Sequence, residues 1–136
     1  MGSYLLDTNV LIQALRRNLR VLDWLLDAIR PTHYLYISAV SRTEVFAGMH
    51  PHEEQITEEL LTSLISLPVT ASIADRAGRT IYQQARKGFQ VSCPDALIAA
   101  TSLEHNLTLV TTNVRHFAPL LGEQVTALAS HLPSAT

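Results

Sequence analysis

Apolar residues in this chain follow two patterns: short continuous runs, and longer segments in which they recur every three or four positions. The continuous runs predict strands at residues 4–6, 34–37 and 107–111, with weaker strands at 67–69 and 125–128. The helical spacing predicts helices over residues 9–16, 19–29, 41–48, 52–66 and 73–88, and another that begins at residue 92 or 93. This alternation predicts an α/β fold, a three-layer α/β/α sandwich with a central, mainly parallel sheet.

Capping and breaking residues indicate where some of these elements begin and end. Ser41 is predicted to cap the third helix, and Ser92 or Cys93 is predicted to cap the last one. Pro31 ends the second helix, because proline cannot continue it. Pro68 cannot donate a backbone hydrogen bond, so the strand at 67–69 is predicted to lie at the edge of the sheet.

The 136 residues fit one compact domain, residues 1–136, and the 47% apolar content is sufficient for a core. No apolar run approaches the roughly 20 residues that span a bilayer, so no membrane association is expected. Asp7 interrupts the first apolar run, unlike a signal peptide, and the single cysteine, Cys93, cannot form an internal disulfide. These features predict a cytoplasmic protein.

The net charge of −2 argues against binding of nucleic acid through bulk electrostatics. Basic residues cluster in two places, interpreted as solvated helix faces: Arg16, Arg17 and Arg20, and then Arg76, Arg79, Arg86 and Lys87. An acidic run is interpreted in the same way, as an exposed helix surface: Glu53, Glu54, Glu58 and Glu59. Composition alone therefore leaves the function open.

Three acidic residues, Asp7, Glu44 and Asp95, are embedded in apolar sequence, where a carboxylate is costly unless a cation or hydrogen-bond donors compensate it. One interpretation is helix capping. Asp7 is a possible N-cap, and Ser41-x-x-Glu44 and Ser92-x-x-Asp95 both fit the capping box. The other interpretation is a shared site. Its support is that Asp7 follows one predicted strand and Asn113 another, so both are expected near one rim of the sheet.

Four segments carry a family resemblance, and their order spans nearly the whole chain. They are Leu5-Leu6-Asp7-Thr8-Asn9-Val10-Leu11-Ile12, Ser41-x-x-Glu44-x-x-x-Gly48, Pro94-Asp95-Ala96-Leu97-Ile98-Ala99-Ala100-Thr101 and Leu109-Val110-Thr111-Thr112-Asn113-x-x-x-Phe117. In sequence and order they resemble the four signatures of PIN domains. The chain is most similar to the short VapC-type ribonuclease toxins of bacterial toxin–antitoxin pairs.

The resemblance implies an endoribonuclease in which Asp7, Glu44 and Asp95 hold Mg²⁺ or Mn²⁺ and Asn113 completes the catalytic set. Hydrolysis of this type leaves a 3′-hydroxyl and a 5′-phosphate. Five neighbours are candidate donors to the carboxylates or to phosphate, although ordinary capping and turn roles also fit them: Thr8, Asn9, Ser41, Thr111 and Thr112.

The implied partners are an RNA substrate, either tRNA or ribosomal RNA, a cognate antitoxin protein and a second copy of the chain in a homodimer. Large apolar residues in the early helices, including Trp24 and Leu25, are candidates for such contacts, although a buried core explains them equally well.

Two positions depart from many relatives and put a second metal ion in doubt. Asn113 stands where many relatives have aspartate, and His116 stands where many have an acid before the aromatic residue. His116 is a candidate for contact with phosphate or a soft metal, although a lone histidine in a turn is usually only solvated.

Other protein classes fit the sequence less well. A haloacid-dehalogenase-like phosphatase needs a second aspartate where this chain has Asn9, and a nucleotide-binding α/β domain needs a glycine-rich loop that is absent. A non-catalytic PIN-like module that binds RNA or assembles with other proteins is a further alternative. The presence of Asp7, Glu44 and Asp95 together argues against it.

Overall fold

Five parallel strands form the centre of the protein, in the order β3-β2-β1-β4-β5. The computed structural model describes residues 3–16, 18–29 and 35–133. The strands are β1 (Tyr4–Leu6), β2 (Leu35–Ser38), β3 (Ile65–Leu67), β4 (Thr108–Thr111) and β5 (Val125–Ala127). The helices are α1 (Thr8–Leu15), α2 (Leu19–Ala28), α3 (Ala39–Gly48), α4 (Glu54–Thr62), α5 (Ala71–Arg86), α6 (Cys93–Glu104) and α7 (Val114–Leu121). Two 3₁₀ turns lie at Pro51–Glu53 and Leu128–His131.

The sheet is covered on both faces, as the α/β/α prediction requires. Successive strand residues point to opposite faces, and in β1 the neighbours Leu5 and Leu6 accordingly belong to different apolar clusters. Leu6 packs with residues of α1, α2 and α4, whereas Leu5 packs with residues of α6 and α7. The three-layer architecture is therefore confirmed, and the sheet is parallel throughout.

The central position of β1 determines where functional groups can meet. Its residues Tyr4 and Leu5 pair with β2, and its three residues also pair with β4. Because all the strands run in the same direction, the residues after their carboxyl ends share one rim. Asp7 after β1 and Thr111 at the end of β4 lie at this rim, joined by a hydrogen bond.

Several predicted boundaries are wrong. The third helix begins at Ala39 with Ser38 as its N-cap, so Ser41 lies buried inside the helix and forms no capping box with Glu44. The strand predicted at 67–69 lies at Ile65–Leu67 instead, so the helix predicted over 52–66 stops at Thr62, although the strand is at the sheet edge as predicted. The pattern also gave no indication of α7, which contains a proline, a residue that usually interrupts helices.

Other elements match the predictions closely. Ser92, one of the two predicted caps, is the N-cap of α6. Gly88, beyond the end of α5, has φ +87°, a conformation that favours glycine. Two predicted boundaries, the strand start at Tyr34 and the helix stop at Pro31, lie outside the described residues. No helix in the described ranges is long and apolar enough to cross a bilayer.

Burial shows that one surface interpretation is wrong and decides between the two interpretations of Leu25. Glu53 is only 6% exposed, because its carboxylate accepts the His50 N–H at 2.7 Å and faces Arg16 Nε at 3.4 Å. Leu25 is fully buried in the core and is therefore not available to a partner. Sequence periodicity did not show that Glu53 folds back onto the preceding turn.

We predict that Glu53→Gln lowers the melting temperature at neutral pH more than Glu54→Gln, a change at an exposed neighbour. The hydrogen bond from the His50 backbone, helped by Arg16, lowers the pKa of Glu53 from its ordinary value of 4.5. A lowered pKa stabilises the fold above pH 4.5, and this contribution is lost as the pH falls through the folded-state pKa. Thermal melts from pH 7 downwards should show the Glu53→Gln deficit shrinking below about pH 4.5; a pH-independent deficit would contradict the pairing.

Candidate active site

Asp7 lies at the junction of β1 and α1, where it is the N-cap of the helix. Its side chain is only 4% exposed. Oδ1 accepts a hydrogen bond from the Thr8 N–H at 2.8 Å, and Oδ2 accepts one from the Thr111 hydroxyl at 2.7 Å. The capping interpretation of Asp7 is therefore confirmed. One carboxylate oxygen is used for the cap, and the other is fixed by the neighbouring strand.

The pKa of Asp7 is raised above its ordinary value. The main cause is burial, which disfavours the charged form, and the Thr111 and Thr8 hydrogen bonds oppose it. The negative charges of Asp95 and Glu44 raise the pKa further. The carboxylates that the sequence singled out are therefore close enough to interact electrostatically.

Glu44 reaches the same region from α3, where it is half-buried. Thr8 Oγ1 lies 2.7 Å from Glu44 Oε1 and 2.9 Å from Ser41 Oγ. A hydroxyl carries one hydrogen and an ionised carboxylate only accepts. Thr8 therefore donates its hydrogen to Glu44 and accepts the hydrogen of the Ser41 hydroxyl. Ser41 and Thr8 thus orient the carboxylate of Glu44, which agrees with their predicted role as donors.

Asp95 lies in the first turn of α6, where its N–H donates to Ser92 Oγ at 3.3 Å. Its carboxylate faces His116 instead, with Oδ2 2.9 Å from Nε2 of the imidazole. This is a short charge contact when the imidazole is protonated, although its direction is not that of a good hydrogen bond. His116 is therefore a neighbour of a candidate ligand; the sequence offered it as a contact for phosphate or a soft metal but did not predict its contact with Asp95.

Asn113 occupies the N-cap position of α7, but its side chain makes no capping bond to the helix. Its backbone N–H donates to Thr111 Oγ1 at 3.0 Å, so the same threonine holds both Asn113 and Asp7. Asn113 lines a cavity instead. Thr112 is exposed and does not line that cavity.

This cavity, here called the acidic cavity, has a volume of about 190 Å³. Its lining residues are Asp7, Thr8, Asn9, Ile12, Glu44, Asp95, Asn113, His116 and Phe117. It therefore brings together the four residues predicted as catalytic. Ser41 and Thr111 are buried and do not line the cavity, but they form hydrogen bonds with Thr8 and Asp7, which do. Ile12 and Phe117 are apolar wall residues that the search for polar groups missed.

The carboxylates share the acidic cavity without forming a closed metal site. Within the described ranges, no three side chains of His, Cys, Asp or Glu are already arranged to hold a metal ion. A larger cavity of about 480 Å³ lies between α1, α2 and α4, but its carboxylate, Glu53, is already paired with Arg16. The acidic cavity is the better candidate for chemistry, because its buried carboxylate has no cationic partner among the described residues.

Comparison with known proteins identifies the family. Residues 4–118 match the family described as PIN domain. The chain is 40% identical over 113 residues to ribonuclease VapC10 of Mycobacterium tuberculosis, covering 83% of this chain and 84% of that protein. It is 32% identical over 127 residues to toxin FitB of Neisseria gonorrhoeae, covering 83% and 89%.

Solved structures give the same result at the level of the fold. A chain in a toxin–antitoxin complex from Klebsiella pneumoniae superimposes with a TM-score of 0.73 at 30% identity, covering 91% of this chain and 96% of that one. A chain in DNA-bound VapBC from Salmonella typhimurium superimposes with a TM-score of 0.78 at 24% identity, covering 93% and 98%. At that lower identity the second likeness is evidence of the fold alone.

Proposed function

The chain belongs to the PIN-domain family, and we propose that it hydrolyses RNA phosphodiester bonds with a divalent cation held by Asp7, Glu44 and Asp95. The endoribonuclease assignment follows from the family and from relatives named as ribonucleases. The observation that supports the site is the buried Asp7 carboxylate, whose pKa is raised chiefly by burial and further by the charges of Asp95 and Glu44 in the same cavity. The non-catalytic alternative does not explain why a fold would retain this repulsion.

The donor set fits a hard cation such as Mg²⁺ or Mn²⁺. Carboxylate oxygens are the preferred ligands of these ions, and Mg²⁺ commonly takes one or two carboxylates and keeps several waters. A carboxylate can therefore hold the cation through one of these waters, so Asp7, Glu44 and Asp95 need not form a closed set of direct ligands. With Asn113 and His116 in place of additional acids, the cavity favours a single cation.

When bound, such a cation polarises the scissile phosphate and lowers the pKa of a bound water that can attack it. The protein's part is to fix the carboxylates in place. Thr8 and Thr111 hold Asp7 through its two oxygens, and Thr8 also orients Glu44. We expect the Asn113 amide to donate to phosphate and the products to carry a 3′-hydroxyl and a 5′-phosphate.

Incubation with RNA tests this proposal. Purified protein is mixed with total tRNA and, separately, ribosomal RNA in Mg²⁺ or Mn²⁺, with and without excess EDTA. We expect cleavage that EDTA abolishes, and fragments that a phosphate-specific label identifies as carrying 5′-phosphates. Cleavage that persists in EDTA, or fragments with 2′,3′-cyclic phosphate ends, would contradict the mechanism. Asp75→Asn, at an exposed aspartate of α5, is the matched control and should cleave normally.

Support of the carboxylates by Thr8 gives a further prediction. Thr8→Val keeps the shape of the side chain but removes the hydroxyl that donates to Glu44. Losing a group that orients a metal ligand typically costs about 10–100-fold in affinity or activity. We expect a loss of this size in Mn²⁺ affinity, measured by isothermal titration. Thr112→Val, at an exposed neighbouring threonine, should bind Mn²⁺ like wild type, and equal losses in both variants would contradict the role of Thr8.

The biological role that we propose is that of a cytoplasmic toxin with an antitoxin partner. The Klebsiella pneumoniae chain that is 30% identical to this one was solved in a toxin–antitoxin complex, which supports a protein partner for this chain. Leu19 and Ile56, both exposed, line the 480 Å³ cavity and offer apolar surface for such a partner. A short reading frame directly upstream, whose product copurifies with this chain and inhibits cleavage, is the expected finding. Its absence would contradict the toxin role but leave the nuclease chemistry intact.

A homodimer is the second part of the assembly proposal. Light scattering at tens of micromolar, roughly the range in which a specific interface of standard size is occupied, should report twice the chain mass. A monomer at that concentration would contradict the dimer.

A further inference from the structure

A second cavity, here called the aromatic groove, lies beside the acidic cavity and shares Asp95 and His116 with it. Its volume is about 540 Å³, within the usual range of small-ligand pockets. Apolar side chains supply much of the remaining wall: Ile81, Ala85, Phe89 and Val91. A strand of nucleic acid whose scissile phosphate lies at the acidic cavity therefore has this groove next to it.

Phe89 is the prominent feature of the groove, because 60% of this large apolar side chain is exposed. Its backbone is nevertheless fixed. Gly88 turns the chain at the end of α5 with φ +87°, and the Phe89 N–H donates to the Gln84 carbonyl at 2.9 Å. This is the hydrogen bond of a Schellman helix end, in which the residue after the glycine usually packs onto the helix. Here the ring is left in solvent instead, on a well-anchored backbone.

Exposed cations lie close in the chain to Phe89 and His116, in spite of the net negative charge of the protein. Arg86 and Lys87 immediately precede Gly88 and Phe89, and Arg115 adjoins His116; all three are exposed. The Arg86 guanidinium lies 5.4 Å from the centre of the Tyr82 ring and donates to the Tyr82 hydroxyl at 3.2 Å. Within the described part of the chain none of the three cations is paired with a carboxylate.

We propose that the aromatic groove binds one unpaired nucleobase of the RNA substrate, stacked on Phe89, while Arg86 and Lys87 contact the adjoining backbone phosphates. Unpaired bases stack on exposed aromatic rings, and cations beside the rings attract the backbone. Because the groove adjoins the acidic cavity, the stacked base is close in the strand to the bond that is cut. The groove selects RNA with unpaired nucleotides over regular duplex. This inference rests on the proposed function.

The test separates base stacking from charge by comparing two probes. One is a fluorescent single-stranded RNA of about 12 nucleotides, a length within the roughly 4–16 nucleotides that an OB-fold of a single-strand-binding protein covers. The other has the same ribose–phosphate backbone without bases. Binding is measured by fluorescence anisotropy in EDTA, so that no cleavage occurs. Wild type should prefer the probe with bases, and Phe89→Ala should weaken binding of that probe by about 5- to 150-fold while leaving the abasic probe unchanged.

Two controls make the result specific. Phe89→Trp keeps an aromatic face and should bind like wild type, whereas Leu19→Ala removes an exposed apolar residue of the other cavity and should have no effect. Equal weakening of both probes by Phe89→Ala, no measurable binding by wild type, or a change from dimer to monomer in light scattering would overturn the proposal. The last result would assign the groove to a protein interface. The EDTA-sensitive cleavage assay is read separately, so failure of the groove is distinguishable from failure of the nuclease mechanism.

Discussion

Replacing Asp7 by asparagine should reduce RNA cleavage by about a hundredfold to a thousandfold without unfolding the protein. Asp7 is the most deeply buried of the candidate ligands, and both its oxygens are positioned by hydrogen bonds. The stabilisation of transition-state charge by a bound cation is worth several kcal/mol, and each 1.36 kcal/mol corresponds to a factor of about ten in rate. An amide can keep the contact with the Thr8 N–H, but it removes the negative charge that holds the cation.

The measurement is kcat/KM on the RNA that wild type cleaves best, at a Mn²⁺ concentration that saturates the wild-type protein. Asp75→Asn serves again as the exposed control, and circular dichroism establishes that both variants are folded. A variant at position 7 that retains more than about a tenth of wild-type activity would contradict a role for Asp7 in metal binding, since such a loss corresponds to less than about 1.4 kcal/mol.

The same substitution should raise the melting temperature of the metal-free protein at neutral pH. The pKa of Asp7 is raised in the folded state, so its neutral form is the one that the fold prefers. The stability from this group is therefore present in full below the ordinary pKa of 3.8 and is lost as the pH rises through the folded-state pKa. Asparagine is neutral at every pH and avoids this loss. The opposing effect is a weakened hydrogen bond to Thr111, worth about 1 kcal/mol.

Thermal melts in EDTA from pH 4 to pH 8 measure this effect. The advantage of Asp7→Asn over wild type should grow with pH and become small near pH 4. Addition of millimolar Mg²⁺ at neutral pH should narrow the gap, because a ligand stabilises only the protein that binds it. A variant that is less stable than wild type at every pH, with the same response to Mg²⁺, would show that Asp7 acts only as a helix cap.

The sequence identified the acids of this site but could not predict how they differ from one another. Apolar neighbours identified Asp7, Glu44 and Asp95, and the parallel-sheet pattern predicted that the polar residues after the strands share one rim. Sequence alone makes the three acids equivalent. In the structure Asp95 has His116 beside it at 2.9 Å, whereas the pKa of Asp7 is raised chiefly by burial, so the cost of a negative charge at this site is best tested at Asp7.

The errors have a common physical cause: contacts between residues distant in sequence. Ser38 and Ser41 are equally good caps by residue type, and only the end of β2 shows that Ser38 begins the helix. Glu53 lies in a polar run, yet it is buried, and its carboxylate forms an ion pair with Arg16 at the end of α1. The ring of Phe89 is the opposite case, an apolar residue left exposed beside the acidic cavity.

The central claim is that the acidic cavity binds a divalent cation, and titration with Mn²⁺ followed by electron paramagnetic resonance tests it most directly. Free Mn²⁺ gives a strong signal that is lost on binding, so the number of sites can be counted without any RNA. We predict one Mn²⁺ per wild-type chain, competition by Mg²⁺, and loss of binding in Asp7→Asn with retention in Asp75→Asn. Wild-type protein that leaves the free Mn²⁺ signal unchanged, or that binds Mn²⁺ as well after Asp7→Asn, would contradict the account.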